Sequence, residues 1–72
     1  MKNREKRYPN TIKEHRSKVN LMQKELAVLM GIPKSTDRLS LWETGQKMPS
    51  AQNLIKLCKL LHASAAELYP GL

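Results

Sequence analysis

The chain alternates short apolar stripes with glycine, proline and polar punctuation. Leu26, Ala27 and Met30 stand at spacings of one, three and four, which place them on one face of a helix. Gly31 closes that segment as a C′ glycine does, because it takes the left-handed conformation without a Cβ penalty. Pro33 keeps the helix from simply running on. A second stripe, Leu39, Trp42 and Glu43 at i, i+3 and i+4, stops at Gly45. A third, Leu54, Leu57, Cys58 and Leu61, follows Ser50 as its N-cap. Upstream, Thr11 and Glu14 have capping-box spacing and open a helix reaching about Lys18, with Ile12 and Val19 turned inward. Leu21 is placed as the core plug before the next helix. Ser64 and Glu67 repeat the box and open a short last helix carrying Leu68 and Tyr69, ended by Pro70. The reading is all-α, with five short helices. Residues 1–10, MKNREKRYPN, lack apolar periodicity and read as a basic, flexible N-terminal arm bounded by Pro9. The folded domain is set at residues 11–70.

The segment from Gln23 to Gly45 organises the rest. Two short helices joined by a glycine-containing turn form a helix-turn-helix, whose second helix lies in the DNA major groove. The residues that carry this segment are Gln23-x-Glu25-Leu26-Ala27, Gly31-Ile32 and Leu39-Ser40-x-Trp42-Glu43-x-Gly45. They resemble the Cro/C1-type (XRE) helix-turn-helix family of phage repressors and small bacterial regulators. Arg16, Pro49-Ser50, the Leu54, Leu57, Leu61 stripe and Ser64-x-x-Glu67-Leu68-Tyr69 fall where that family has equivalent residues. The resemblance extends from Ile12 to Tyr69. It implies a compact five-helix, lambda-repressor-like domain that binds double-stranded DNA operators as a transcriptional regulator, in a bacterial, phage or mobile-element cytoplasm.

Composition agrees with a nucleic-acid partner. Thirteen Lys and Arg against six Asp and Glu leave a net charge of +7, and the sequence pI is near 9.9. A pI above about 9 is the electrostatic footprint of nucleic-acid binding, although charge alone suits any soluble basic domain. Seventy-two residues make one small domain, too small to wall off a deep catalytic pocket. Cys58 is the lone cysteine, which excludes an internal disulfide framework, and on its stripe it reads as a small buried hydrophobe. No apolar run approaches the ~20 residues of a membrane span, and the start of the chain is charged rather than signal-like. No Ser-His-Asp set, metal-ligand spacing or phosphate-binding glycine loop is present. The expectation is a binding protein with no cofactor, no metal, no small-molecule ligand and no enzymatic activity.

The resemblance assigns roles residue by residue. Arg16 pairs with Glu43 as a structural clamp between the first and third helices; the bland alternative is an exposed arginine aimed at phosphate. Gln23, at the start of helix two, contacts a DNA phosphate with side chain and backbone, where free amides and the positive dipole end favour an anion. Lys24 is a second phosphate contact. In the loop Gly45-Gln46-Lys47-Met48-Pro49, backbone amides and Lys47 press against phosphate. His15, Lys56 and Lys59 read as solvated surface.

Two departures stand out. Met22 occupies the N-cap of helix two, where the family has Ser or Thr, and its thioether leaves about 1 kcal/mol of capping unmade. Asn20 or the Gln23 side chain is then the substitute. The turn is also longer. Gly31 to Glu43 takes twelve residues where the family takes ten, so two extra residues lie between Ile32 and Leu39. Counting back from Leu39 makes Ser35 the N-cap and a phosphate contact, with Thr36, Asp37 and Arg38 as the first turn of the recognition helix. Counting forward from Gly31 makes Lys34, Ser35 and Thr36 that turn and leaves Asp37-Arg38 as an insertion. The first count is preferred because Leu39, Trp42 and Glu43 must keep their packing register. It presents Thr36, Asp37, Arg38, Ser40 and Leu41 to the bases: Arg38 suits guanine, Asp37 cytosine N4, and Leu41 a thymine methyl. Asp37 suits the helix dipole equally well. A homodimer spanning two half-sites one turn apart is expected, its surface near helices four and five. The rival reading keeps the scaffold as an antitoxin-type or other protein-interaction module with weak or lost DNA reading.

Overall fold

The stripes converge on one core. Ile12, Leu26, Met30, Leu39, Leu57, Leu61 and Leu68 have essentially no exposed surface, and Ala27, Trp42, Ala63 and Tyr69 join them. Val19, Leu21, Ile32, Leu54 and Cys58 are half-buried against this cluster, as is Tyr8. The structure is a computed structural model and describes residues 7–32 and 36–71. Its described residues form α1 (Ile12–Lys18), α2 (Gln23–Met30), α3 (Asp37–Glu43), α4 (Ala51–Leu61) and α5 (Ala65–Leu68), with no strand among them. The α2 helix packs on both α3 and α4, α1 on α3, and α4 on α5. The all-α, five-helix architecture read from the periodicity is the one observed.

Both glycine stops work through the same device. Gly31 has φ +84°; its N–H donates to Val28 O at 3.1 Å, and the next N–H, of Ile32, donates to Ala27 O at 2.9 Å. This is a Schellman closure, which satisfies carbonyls left open at a helix end. Gly45, at φ +77°, repeats it on α3: its N–H donates to Trp42 O at 3.0 Å and Gln46 N–H to Leu41 O at 2.9 Å. A Cβ at either glycine would be strained in this region of φ.

The helix starts follow the sequence unevenly. Ser50 accepts from Asn53 N–H at 3.2 Å, and Ser64 with Glu67 forms a complete capping box. The Thr11–Glu14 box does not form. Thr11 N–H donates to Leu68 O at 2.9 Å and its hydroxyl to Glu67 O at 2.7 Å, so α5 takes the side chain that would have capped α1. Asn10 supplies the cap instead, its Oδ1 accepting from Ile12 N–H at 3.0 Å. At α2, Met22 makes no side-chain cap bond, as its chemistry implies. Neither Asn20 nor Gln23 substitutes for it. The Glu25 carboxylate instead reaches back and accepts from Met22 N–H at 2.8 Å. Lys56 is also more than solvated surface, because its Nζ lies 3.4 Å from Met30 O at the end of α2, where a cation complements the helix dipole.

The part of the chain tied to the fold begins earlier than the boundary at residue 11 that composition suggested. Residues 1–6 lie outside the described residues, but Tyr8 and Asn10 are tied to the fold. Tyr8 N–H donates to Gly45 O at 2.9 Å, and Asn10 Nδ2 donates to Trp42 O at 2.7 Å and to Tyr8 O at 2.9 Å. Composition misjudged these two because their partners lie more than thirty residues away.

Candidate nucleic-acid interface

The site is built around a carboxylate held almost out of water. Glu43 is 9% exposed and receives three hydrogen bonds from two side chains. Arg16 donates from Nε to Oε2 at 2.6 Å and from Nη2 to Oε1 at 3.2 Å. Gln23 donates from Nε2 to Oε1 at 2.9 Å. The remaining guanidinium edge, Nη1, donates to Leu21 O at 2.8 Å. This one network therefore ties α1, the α1–α2 connection, the start of α2 and the end of α3. An arginine suits the place because its planar fork engages both carboxylate oxygens and still reaches a carbonyl.

The network changes what Gln23 has to offer. The family resemblance assigned its side chain to phosphate, yet its amide donor is turned onto Glu43 and the residue is half-buried. Lys24 beside it is exposed at the start of α2.

Across the turn, the structure follows the count made backward from Leu39. Asp37 and Arg38 form the opening turn of α3 and run unbroken into Leu39. The helix starts one residue later than that count, with Thr36 in the N-cap place and without a side-chain cap bond. Ser35, expected as the cap and a phosphate contact, lies outside the described residues, as do Pro33 and Lys34. Asp37 and Arg38 are exposed, while Ser40, Leu41 and Thr36 are half-buried along the same short helix. With Leu39, Trp42 and Glu43 buried, the outward arc of α3 carries Asp37, Arg38, Ser40 and Leu41.

The loop after α3 is held by its own backbone. Leu41 O accepts from Gln46 N–H at 2.9 Å and from Lys47 N–H at 3.3 Å. Those amides, expected on phosphate, are thus turned to the helix end, and the exposed Lys47 side chain is what the loop presents. Tyr8 and Asn10 close the other side of this loop. They escaped sequence reasoning altogether; an asparagine just before an apolar-striped helix was the available signal, since Asn is a favoured N-cap.

Among the described residues no three His, Cys, Asp or Glu side chains gather as a metal site, and no helix is long and apolar enough to cross a membrane. The chemistry on offer is hydrogen bonding and positive charge around a short, rigidly held helix. A family model described as helix-turn-helix matches residues 12–68, from the first residue of α1 to the last of α5. No curated protein and no solved structure gives a significant match. The match spans most of the chain and its bounds coincide with the five-helix core, so the protein belongs to the Cro/C1-type (XRE) helix-turn-helix family of DNA-binding transcriptional regulators.

Proposed function

We propose that this regulator binds a specific duplex operator, setting α3 into the major groove and acting as a repressor by occupancy. One observation carries the reading: Glu43 and its three donors lock α3 against α1 and α2 while Arg38, Asp37, Ser40 and Leu41 stay on the outward arc. A seven-residue helix is about 10 Å long and suits one short stretch of groove. Thr36 sits at its entrance, and Ser35 joins it as a phosphate contact by the sequence reading alone. Lys24 and Lys47 flank the helix as phosphate anchors that set register, and α3 side chains read base edges.

One such helix reads one half-site. The protein accordingly acts as a homodimer, its two α3 helices about 34 Å apart along the DNA and its shared surface near α4 and α5. Selection of bound duplexes from a random pool, followed by footprinting, tests this: a two-fold symmetric motif with half-sites one turn apart is the expected result. Recovery of unselected sequence overturns specific readout.

A second reading has its own observation. Met22, Val28, Leu29 and Ile55 are each more than half exposed. In an antitoxin-type module on the same scaffold, such residues would face a protein partner. Absence of salt-dependent binding to any duplex would favour that reading.

A further inference from the structure

We propose that Asn10 is a positioning residue for operator readout, fixing the α3 backbone through the Trp42 carbonyl. The proposal rests on α3 being the helix that meets DNA. The carbonyls near the end of α3 show how it is held. Ser40 O accepts from Thr44 N–H at 2.9 Å and from the Thr44 hydroxyl at 2.8 Å, and Leu41 O accepts from the amides of Gln46 and Lys47. Trp42 O accepts from Gly45 N–H at 3.0 Å and from Asn10 Nδ2 at 2.7 Å. Among the described residues, Trp42 O is thus the one of these three carbonyls that takes a donor from outside the helix and its loop. Asn10 is itself held on both sides of this bond. Its Nδ2 also donates to Tyr8 O at 2.9 Å, and its Oδ1 accepts from Ile12 N–H at 3.0 Å. Tyr8 N–H adds a bond to Gly45 O at 2.9 Å, just past α3. One short amide side chain therefore joins the backbone at the start of α1 to the backbone at the end of α3.

This bond supplies what the Glu43 network does not. Arg16 and Gln23 hold α3 through a glutamate side chain, whose rotatable bonds leave the backbone behind it some freedom. Asn10 grips the backbone itself, one residue before Glu43, and so sets the rotation and axial position of a helix of only seven residues. Ser40 and Leu41 directly precede Trp42, and Arg38 stands one turn earlier. Base readout needs such groups held within about 0.5 Å of their productive geometry. Phosphate contacts from Lys24 and Lys47 tolerate more, since an ammonium on a flexible stem acts as a point charge. Slack at Trp42 therefore costs discrimination between sequences and leaves the electrostatic grip on DNA unchanged.

The experiment compares the protein with Asn10→Ser and Asn10→Ala. Serine keeps a side-chain acceptor for the start of α1 and loses the amide donor, whereas alanine loses both. Melts followed by the fluorescence of Trp42, the chain's one tryptophan, first establish folding. If Asn10→Ala does not fold, Asn10→Ser carries the test alone. Affinity is then read on a selected operator duplex and on a mixed-sequence duplex over a salt series, at a temperature where the proteins are folded. Both variants should lose about tenfold on the operator, as for one broken base contact. Affinity for the mixed duplex, and its salt slope, should stay unchanged. A merely structural asparagine would shift the melts and leave the ratio of the two affinities as it was. That result overturns the proposal while α3 remains the reader. A loss confined to Asn10→Ala also overturns it, because the cap and not the amide is then responsible. If the unsubstituted protein prefers no operator, the reading of α3 fails and this role of Asn10 with it.

Discussion

Arg16 and Glu43, twenty-seven residues apart in sequence, meet through both carboxylate oxygens, at 2.6 and 3.2 Å, with side chains 12% and 5% exposed. Their burial separates this pair from a surface ion pair, worth only ~0–1 kcal/mol. Removing one partner leaves the other charge desolvated, which costs about 3–5 kcal/mol in buried pairs. Glu43→Gln and Arg16→Met should each destabilise by well over ~1 kcal/mol. The double mutant should lose much less than the sum of the two. Urea melts of the four proteins measure this, and additive losses would mean that the two side chains are merely adjacent. Gln23→Ala, which removes the third donor, should cost about 1.5–3 kcal/mol, the range for a hydrogen bond to a charged group.

Lys47 is exposed in a loop whose amides are already committed to Leu41 O. On the proposed reading its contribution to binding is charge. Lys47→Ala should weaken all duplex sequences alike and lower the salt slope by about one. A loss confined to one operator base pair would identify Lys47 as a base reader.

Arg38 stands in the first turn of α3, which on the proposed reading puts its guanidinium within reach of guanine O6 and N7. Arg38→Ala should cost ~1–3 kcal/mol at a single base pair and relax specificity there. Deleting Asp37 and Arg38 together restores the family's spacing. Because both belong to the helix and precede Leu39 directly, the deletion should abolish operator affinity while the fold survives. Unchanged affinity in both variants would remove α3's first turn from the reading face.

Tyr69 is buried, and its hydroxyl has no hydrogen-bond partner among the described residues. Burial pushes the phenol up to about 12. The folded state thus holds the proton more tightly than the unfolded chain, whose tyrosines titrate near pH ~10. That stability is fully present below pH ~10 and is lost as pH rises toward about 12. Tyr69→Phe should flatten this alkaline loss and stabilise the neutral protein by about 1 kcal/mol, since an unmade buried hydrogen bond disappears. Melting temperatures of both proteins from pH 7 upward, on the ~10–12 window, check it.

Glu67 shows the opposite sign. The Ser64 backbone N–H, and then the Ser64 hydroxyl, hold its carboxyl below the ordinary 4.5. Its stabilisation is present above that value and is lost as pH falls through the folded-state pKa. Glu67→Gln should lower the neutral-pH melting temperature slightly and make the acid limb shallower.

The sequence by itself determined the five helices, because periodicity and glycine stops act within a few residues. Leu26, Ala27 and Met30 before Gly31, and Leu39 and Trp42 before Gly45, fold as their spacing dictates. Local chemistry was equally readable at Ser50 and Ser64, whose caps bond three residues ahead. The pairing of Arg16 with Glu43 was legible only through family resemblance, since nothing local links positions so far apart. Tertiary structure decided where side chains had competing partners. Thr11 turned from its own helix to α5, because Leu68 and Glu67 bring unpaired carbonyls to it. Gln23, assigned to a phosphate by the resemblance, turned its amide to Glu43, because a buried carboxylate gains more from a third donor than water does from an amide. Tyr8 and Asn10 left the arm their composition assigned them, because carbonyl oxygens in the last turn of α3 and just past it lay within reach. Each was a competition for a long-range hydrogen-bond partner, decided by which groups the packed helices bring within bonding distance of one another.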